Sequence, residues 1–317
     1  MKKFLLTGPV AILIGEQFHQ SDDAENIARS FKHYLSLAST ARSEKQRQDA
    51  LASLKAQISN GVFKPPIGTL TILTKILPLI SDCSVLVRRQ LLDLLRCLPP
   101  HEVAAEVERV IIFVRAGMTH LSADIAGDTL AVVNWLLDIA PEELVSCPGG
   151  WIKTLNNFCA MLGWSTANNG GWSMAPLKSS SRAKDATMRA GQLATLTRFL
   201  DAGLRSEVEP RQVSICHSHG WPSSFFRHHM DLLHFEHLNI FGARRDEDCE
   251  MYTNREARQL VFSKKFLKNM EAAIELEKKE GGVLGRAAAA LQQALQQGLM
   301  DFEDPHISNM DDLMCLW

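Results

Sequence analysis

The chain has 317 residues, of which 46% are hydrophobic and 22% are charged, a balance typical of a folded globular protein. Its 34 basic and 36 acidic residues leave a formal net charge of −2. Proteins that hold nucleic acid mainly by counterion release are usually far more basic, so the composition excludes a dedicated binder of that kind.

The first predicted element is a short apolar segment at the N-terminus. Two lysines precede an apolar run from Phe4 to Ile14, an order that resembles a secretory signal peptide. However, Gly8-Pro9 interrupts the run, no cleavage site of small residues follows, and the run is too short to span a bilayer. We therefore expect residues 1–30 to form an N-terminal segment of uncertain role, and we expect no membrane association.

Residues 31–208 show helical periodicity almost throughout. In SVLVRRQLLDLLRCL, residues 84–98, the apolar residues share one helical face, and Pro99-Pro100 ends the helix. Residues 103–121 continue with a stripe of Val, Ile and Met at the helical period. No convincing alternation with a period of two occurs, so the sequence predicts an all-α protein.

The predicted helices repeat. SEKQRQDALASL from Ser43, SVLVRRQLLDLL from Ser84 and SADIAGDTLAVV from Ser122 align with offsets of 41 and 38 residues. Repeats of about 40 residues, each a helical hairpin, are typical of HEAT or armadillo proteins, in which stacking buries a core that one hairpin cannot bury. We predict a HEAT/armadillo-like α-solenoid in residues 31–208, followed by a less regular part.

A polar cluster stands where two predicted helices meet, in RAGMTHLSADIAGDTL. His120 with Asp124 or Asp128 could form a catalytic base and its orienting acid, but no nucleophile is assembled with them and no hydrolase, metalloprotease or nucleotide-binding motif occurs. A histidine suits the end of a helix, and Ser122 and Asp124 suit the start of the next one. We interpret Thr119, His120, Ser122, Asp124 and Asp128 as the turn of a helical hairpin and predict no catalytic residue.

The predicted C-terminal part, residues 209–317, begins with a segment rich in histidine and aromatic residues. Eight side chains there could hold zinc: Cys216, His217, His219, His228, His229, His234, His237 and Cys249. No closely spaced cysteine pair anchors them, so we expect a segment that packs over the solenoid and predict no metal or cofactor. A zinc module or metal-dependent enzyme in residues 216–249 remains the alternative.

The seven cysteines form no CxxC pair, and their odd number favours a reducing compartment over a secreted disulfide framework. The mixed-charge segments ARRDEDCE and TNREAR are interpreted as surface. Further on, a helical pattern is interrupted at Gly281-Gly282, and the chain ends in an acidic tail whose last residues, MDDLMCLW, could dock in a partner's groove or fray.

Surface arginines and tryptophans are the candidates for partner binding: Arg88, Arg89, Arg96, Trp135 and Trp317. With Arg109 and Arg115, the arginines could also form a patch for RNA. Acidic residues are interleaved with them, so direct RNA contact is open but is not indicated by charge.

Several segments, in order, resemble one known family. AGMTHLSADIAGDTLAVVNWLL is similar to the signature of the Ipi-one / testis-expressed-ten family, and DCSVLVRRQLLDLLRCLP is similar to its HEAT segment. WIKTLNNFCAMLGW, LATLTRFLDAGL, HLNIFGARRDEDCEMYTNREARQLVF and KKEGGVLGRAAAAL resemble its fungal members. The resemblance runs from about Phe31 to Leu291.

The resemblance implies a non-enzymatic scaffold in the nucleus, both nucleolus and nucleoplasm. It implies a complex with a Rix-type helical protein and a WD-repeat subunit. It also implies association with the pre-60S ribosomal particle and a midasin-type AAA ATPase, and a role in removing the second internal transcribed spacer from pre-rRNA. A HEAT-repeat transport adaptor is a further alternative, although such adaptors are usually longer and more acidic.

The sequence departs from the family pattern in two places. Family members usually start with a Lys-rich extension that this chain lacks, which leaves the route of nuclear import open. Ala126 and Gly127 stand where the family tends to have an arginine and a large apolar residue, so we expect altered contacts at that helix.

Overall fold

The computed structural model describes residues 26–59, 67–166, 172–174, 182–205 and 246–302. In these residues the protein is helical except for one pair of three-residue strands, which confirms the predicted helical class. The described residues fall into two compact units, divided between Leu144 and Val145. This boundary differs from the predicted change at residues 208/209, because α-helical packing within the second unit begins well before the change in composition.

The first unit contains seven α-helices and one 3₁₀ segment among its described residues. They are α1 (26–40), α2 (Glu44–Ser59), α3 (Thr69–Ile76), the 3₁₀ segment Leu77–Ser81, α4 (Val85–Leu95), α5 (Pro100–Ala104), α6 (Val107–Met118) and α7 (Ala123–Ile139). A short helix, α8 (Pro141–Ser146), spans the division.

The starts of α4 and α7 lie where the repeated serines predicted them. Ser84 is the N-cap of α4, and its hydroxyl accepts a hydrogen bond from the Val87 N–H at 3.4 Å. Ser122 is the N-cap of α7. Both serines have extended backbone conformation, and their carbonyls accept the first helical hydrogen bonds from the N–H groups of Arg88 and Ala126 at 3.1 Å.

The apolar faces of these helices form the core of the first unit. Helix α2 packs beside α4, α4 beside α7, and α6 against α7. Aligned positions of the repeat, Leu54, Leu95 and Val133, are all fully buried. The repeat therefore identifies equivalent core positions, because each helix turns the same face inward.

Helices α6 and α7 approach closely because residue 117 has no side chain. A Cβ atom added to Gly117 would lie 2.5 Å from Thr129 Oγ1 and 3.0 Å from a methyl group of Ile80. Thr129 is itself buried, and its hydroxyl donates to the Ile125 carbonyl at 2.7 Å. This contact fixes the spacing of the α6–α7 pair.

The second unit contains five further helices among its described residues. They are α9 (Ile152–Met161), α10 (Arg182–Leu204), α11 (Arg255–Phe262), α12 (Lys268–Glu280) and α13 (Gly282–Gly298). A 3₁₀ turn, Glu247–Cys249, precedes α11, and a π-helical turn, Ser263–Leu267, joins α11 to α12. Helix α13 packs against both α10 and α12.

Two short strands follow α9, although the sequence showed no alternating pattern there. β1 (Trp164–Thr166) pairs antiparallel with β2 (Trp172–Met174), with Trp164 opposite Met174. The prediction of no strand was wrong at this place. Three residues are too few to display an alternating pattern, and the Asn-Asn-Gly-Gly sequence between the strands was the available signal.

An aromatic cluster forms the centre of the second unit. The ring of Trp151 stacks on Phe199, with centroids 5.3 Å apart, and Phe158 and Phe262 complete the cluster. All four side chains are fully buried. Offset aromatic contacts of this kind bury large apolar areas, so the cluster holds α9, α10 and α11 together.

The predicted interruption at Gly281-Gly282 is confirmed. Both glycines have positive φ, 71° and 62°, which a residue with a side chain rarely adopts. The chain therefore reverses between α12 and α13 at the two residues that the sequence had marked as a break.

Candidate interaction surface

The helices of the first unit are joined at one end by a series of arginine contacts. The guanidinium of Arg47 donates through Nη1 to the carbonyls of Ala41 and Arg42, both at 3.0 Å. It also pairs with Asp82, at 2.8 Å, across the α2–α4 contact. One side chain thus ties the start of α2 to the loop that precedes α4.

Arg88 repeats this arrangement one hairpin later. Its Nη1 donates to the carbonyls of Asp82 and Cys83, at 2.6 and 3.2 Å. Its Nε and Nη2 both donate to one carboxylate oxygen of Asp128 on α7, at 2.9 and 2.6 Å. We call Arg47, Asp82, Arg88 and Asp128 the arginine ladder, because they connect α2, α4 and α7 in succession.

The loop before each helix is closed by a side chain that accepts a backbone hydrogen bond. Asp82 Oδ1 accepts from the Ser84 N–H at 2.8 Å. His120 Nδ1 accepts from the Ser122 N–H at 3.0 Å. His120 and Asp82 each lie two residues before the serine of their repeat. His120 therefore accepts the same backbone hydrogen bond in the third repeat that Asp82 accepts in the second.

The structure separates the five residues predicted to form the hairpin turn. Thr119 ends α6 and donates its hydroxyl to the Arg115 carbonyl at 3.0 Å, and His120 and Ser122 follow in the turn. The Ser122 side chain makes no capping hydrogen bond, and Asp124 lies exposed in the first turn of α7. Asp128 lies one turn further along α7 and belongs to the arginine ladder instead.

Two of the predicted partner-binding residues are not on an accessible surface, and this part of the prediction needs correction. The side chain of Arg88 is 4% exposed, and Trp135 is 5% exposed. Arg88 is used by the ladder, and the indole of Trp135 is part of the core. Arg89 is exposed, Arg96 is exposed and lies 3.8 Å from Asp93, and Trp317 is outside the described residues.

A small open pocket of about 50 Å³ lies between α4 and α7. Its lining includes the buried apolar side chains Ile80, Leu91 and Val132, together with the exposed Arg89. Within the described residues, the side chain of Arg89 makes no hydrogen bond or ion pair. Of the predicted partner-binding residues, it is the one whose surroundings suit a contact with another molecule.

The second unit has a separate cluster of polar contacts, made by the start of α11. Arg255 Nε donates to the Leu204 carbonyl at 2.6 Å, and Arg258 Nε donates to the Gly203 carbonyl at 2.8 Å. Gln259 Nε2 donates to the Gly298 carbonyl at 2.7 Å. Because a helix leaves its last carbonyls unbonded, these donors cap α10 and α13 together, and we call the three residues the carbonyl clamp.

This clamp was missed in the sequence, where TNREAR was interpreted as a mixed-charge surface segment. That interpretation was wrong for Arg258, which is 4% exposed. Gln259, the residue that follows the segment, is 2% exposed. The available signal was the spacing of Arg255, Arg258 and Gln259, which places all three on one face of a helix. Their partners are backbone carbonyls, which leave no trace in a sequence.

Asp301 extends the clamp with an ion pair. Its two carboxylate oxygens each accept from the Arg255 guanidinium at 2.6 Å. The hydrogen bond from Arg255 lowers the pKa of Asp301 to about 2, and the same bond raises the pKa of Arg255. Two-point pairing between the planar guanidinium and the carboxylate fixes the chain just after α13.

A buried ion pair connects α10 to α12. Arg189 donates to Glu277, which is fully buried, and also to the Leu162 carbonyl at 3.1 Å. A buried charge is tolerated only when it is paired in this way. The pair therefore specifies how these two helices meet.

The cysteines and acids of the described residues show no sign of metal chemistry. No group of three His, Cys, Asp or Glu side chains there could hold a metal ion. Burial raises the pKa of the Cys159 thiol well above its ordinary value, because this side chain is part of the core. Cys249 is exposed, and the other seven members of the proposed zinc set lie outside the described residues.

Among the helices that the structure describes, none combines the length and the apolar composition needed to cross a membrane.

Comparisons with known proteins place these features in one family. Residues 101–200 match a family model described as a Rix1 complex component involved in 60S ribosome maturation. The chain is 48% identical to pre-rRNA-processing protein IPI1 of Pyricularia oryzae over 89% of its own length and 84% of that protein. The protein of the same name in Chaetomium thermophilum is 42% identical over 91% and 86% of the two chains.

One solved structure is also similar, a chain of the Rix1-Rea1 pre-60S particle. It is 22% identical, has a TM-score of 0.42, and covers 55% of this chain and 64% of that chain. A likeness this distant adds nothing to the argument.

Proposed function

The chain belongs to the family of Ipi1 pre-rRNA-processing proteins, and from this premise we propose that it is a non-catalytic scaffold subunit of a nuclear complex. The complex acts in maturation of the pre-60S ribosomal particle and in removal of the second internal transcribed spacer from pre-rRNA. The observation that carries this conclusion is the 48% identity to a relative over 89% of this chain.

A scaffold role agrees with how the polar residues of the first unit are used. The ladder arginines donate to backbone carbonyls and carboxylates, and His120 accepts from a backbone N–H. These groups hold helices together. Catalysis would instead require a base and a nucleophile directed at a common point, and the described polar cluster assembles no such pair.

We also propose that the first unit is a HEAT-like solenoid. Support comes from the aligned serines that precede α2, α4 and α7, and from the side-by-side packing of these helices. The ladder adds further support, because the same arginine contact recurs with the period of the repeat. In such a stack, equivalent surfaces of successive hairpins form one continuous face.

The proposed partners are a Rix-type helical protein, a WD-repeat subunit, and a midasin-type AAA ATPase on the pre-60S particle. Membership in a family described as part of the Rix1 complex supports the first of these most directly. The pocket between α4 and α7, with Arg89 at its edge, is the proposed contact surface. The nucleolus and nucleoplasm follow as the proposed locations, since pre-60S maturation takes place there.

Affinity purification tests this assignment. The tagged chain would be purified from nuclear extract, and the co-purifying proteins identified by mass spectrometry. We expect a Rix-type protein, a WD-repeat protein and pre-60S factors. Depletion of the chain is expected to raise the level of RNA precursors that retain the second spacer, measured by hybridisation.

Recovery of the chain alone, together with unchanged spacer-containing precursors after depletion, would contradict the proposal. A preparation that contained transport cargo in place of pre-60S factors would instead favour the adaptor alternative.

A further inference from the structure

Among the described residues, four helices follow a serine or an asparagine. In each, the first helical hydrogen bond runs to the carbonyl of that residue from the N–H four positions later, at 3.1 Å. The four pairs are Arg47 to Ser43, Arg88 to Ser84, Ala126 to Ser122 and Arg258 to Asn254. They occur in both compact units. The same first bond opens helices that follow other residues, such as Val103 to Pro99, so the serine or asparagine is what distinguishes these four.

Three of the four positions carry an arginine, and each arginine makes the same contact. Its Nη1 donates to the carbonyls of the residues six and five positions earlier. The distances are 3.0 and 3.0 Å for Arg47, 2.6 and 3.2 Å for Arg88, and 2.9 and 3.2 Å for Arg258. The paired carbonyls of this turn are therefore a guanidinium-binding site, demonstrated three times in the same molecule.

The fourth position, at the start of α7, carries alanine. The equivalent carbonyls are those of His120 and Leu121, and within the described residues nothing donates to them. Ala126 supplies a methyl group and Gly127 supplies no side chain, while a Cβ at residue 127 would meet no atom within 4 Å. The two carbonyls of this turn therefore lack the arginine that donates to the equivalent carbonyls in the other three turns.

The surroundings of this turn suit a cationic side chain from another molecule. Asp124 is an exposed acid with no hydrogen bond or ion pair in the described residues, and His120 is exposed beside it in the turn. Leu121 is 103% exposed, which is unusual for a large apolar side chain in a short turn. An arginine would direct its guanidinium to the carbonyls and lay its apolar stem against such a side chain.

From these observations we infer that the α6–α7 turn binds an arginine side chain presented by a partner protein. The guanidinium donates to the carbonyls of His120 and Leu121, as the chain's own arginines do in the other three turns. The favoured partner segment has an apolar residue next to the arginine, which covers Leu121. This site is separate from the pocket at Arg89, and the inference does not depend on the complex in which the chain works.

The test uses the purified full chain and a short probe peptide, acetyl-Gly-Arg-Leu-Gly-amide. Binding would be followed by the amide NMR signals of residues 120–127. We expect saturable shifts with the arginine peptide and at least about tenfold weaker binding of the same peptide with citrulline, because the bonds that are lost are charge-assisted. Equal binding of the two peptides, or no binding of either, would overturn the inference.

Two variants sharpen the test. Ala126→Arg should bind its own carbonyls, raise the melting temperature and weaken peptide binding at least about tenfold. Ala52→Arg, at an exposed position of α2, adds the same charge elsewhere and should leave binding unchanged. Leu121→Ala should weaken binding about threefold without changing the melting temperature, because the leucine is fully exposed and only its contact with the peptide is lost. Full binding by both Ala126→Arg and Leu121→Ala would place the peptide elsewhere and exclude this site.

Discussion

At the scale of single residues, we expect substitution to cost most stability at two kinds of position. At one kind a glycine allows a close contact, and at the other a side chain bonds to a backbone group. Gly203 is one, because the last turn of α10 lies directly on the indole of Trp151. His120 is another, because its ring nitrogen takes a backbone N–H that an aspartate takes at residue 82. His120 lies between α6 and α7, and the direction of its hydrogen bond depends on the loop conformation and could not be predicted.

Gly203→Ala is expected to destabilise the second unit. Its Cβ would lie 2.2 Å from the Trp151 ring, so the indole or the helix would have to move. Overpacking of this kind costs about 1–3 kcal/mol. Gly191→Ala is the matched control on the same helix, because a Cβ there meets nothing within 4 Å and should add about 0.5–1 kcal/mol of stability. Urea unfolding followed by tryptophan fluorescence measures both, and equal effects would show that the close contact is not rigid.

His120→Ala is expected to lower stability by about 0.5–1 kcal/mol, because the Ser122 N–H loses its acceptor in an exposed turn. His120→Asp should remain close to the wild-type value, since Asp82 makes the equivalent bond at 2.8 Å. Thermal unfolding of the three proteins would measure this. If the aspartate variant were as unstable as the alanine variant, the equivalence of residues 82 and 120 would be refuted.

At the scale of elements, helix ends determine how the second unit is assembled. The carbonyl clamp on α11 binds the last carbonyls of α10 and α13, and the ion pair with Asp301 adds a charged contact beyond α13. The sequence predicted these helices and the break at Gly281-Gly282, because periodicity and glycine pairs are local signals. It could not predict the clamp, since its acceptors are carbonyls 39 to 55 residues away from their donors.

The clamp is expected to contribute stability that depends on pH. In the folded protein the pKa of Asp301 is about 2, below its ordinary value of 3.8, because Arg255 hydrogen-bonds the ionised form. A lowered carboxylate pKa stabilises the fold at pH values above about 4, and this contribution is lost as the pH falls towards about 2. Asp301→Asn should therefore be less stable than the wild type at pH 6, with the difference shrinking between pH 4 and 2.

Urea unfolding of both proteins at a series of pH values measures that difference. Comparing the two proteins cancels the effect of other carboxylates that titrate in the same range. A stability difference that stayed constant across the range would show that Asp301 is not held ionised by Arg255.

At the scale of the whole molecule, the fold distinguishes residues that hold helices together from residues available to partners. Arg88 and Arg89 are neighbours in sequence, yet the first is buried in the ladder and the second is exposed at the pocket between α4 and α7. Helical periodicity alone could not separate them, because a ladder arginine occupies a buried position that usually belongs to apolar residues. The repeat did identify the helices that meet there.

Arg88→Ala should therefore lower stability, whereas Arg89→Ala should lower partner binding. Loss of Arg88 leaves Asp128 and two carbonyls without a partner and is expected to destabilise the first unit by about 3 kcal/mol. Loss of Arg89 should change stability by less than about 0.5 kcal/mol but reduce recovery of the Rix-type partner in affinity purification. Chemical unfolding and co-purification would be measured on the same preparations. Full partner recovery with Arg89→Ala would remove the pocket from the proposed contact surface.

The long reach of the carbonyl clamp also affects the order in which the protein folds during its synthesis. All described residues of the first unit precede residue 145, so that unit can close while the second is still being translated. Arg255 and Gln259 cannot complete their contacts until Gly298 has been added, because both donate to its carbonyl. A nascent chain that stops before Gly298 would therefore leave the guanidinium of Arg255 and the buried amide of Gln259 without those acceptors. Such truncated chains are expected to require chaperones, whereas chains ending shortly after residue 302 would contain every described contact.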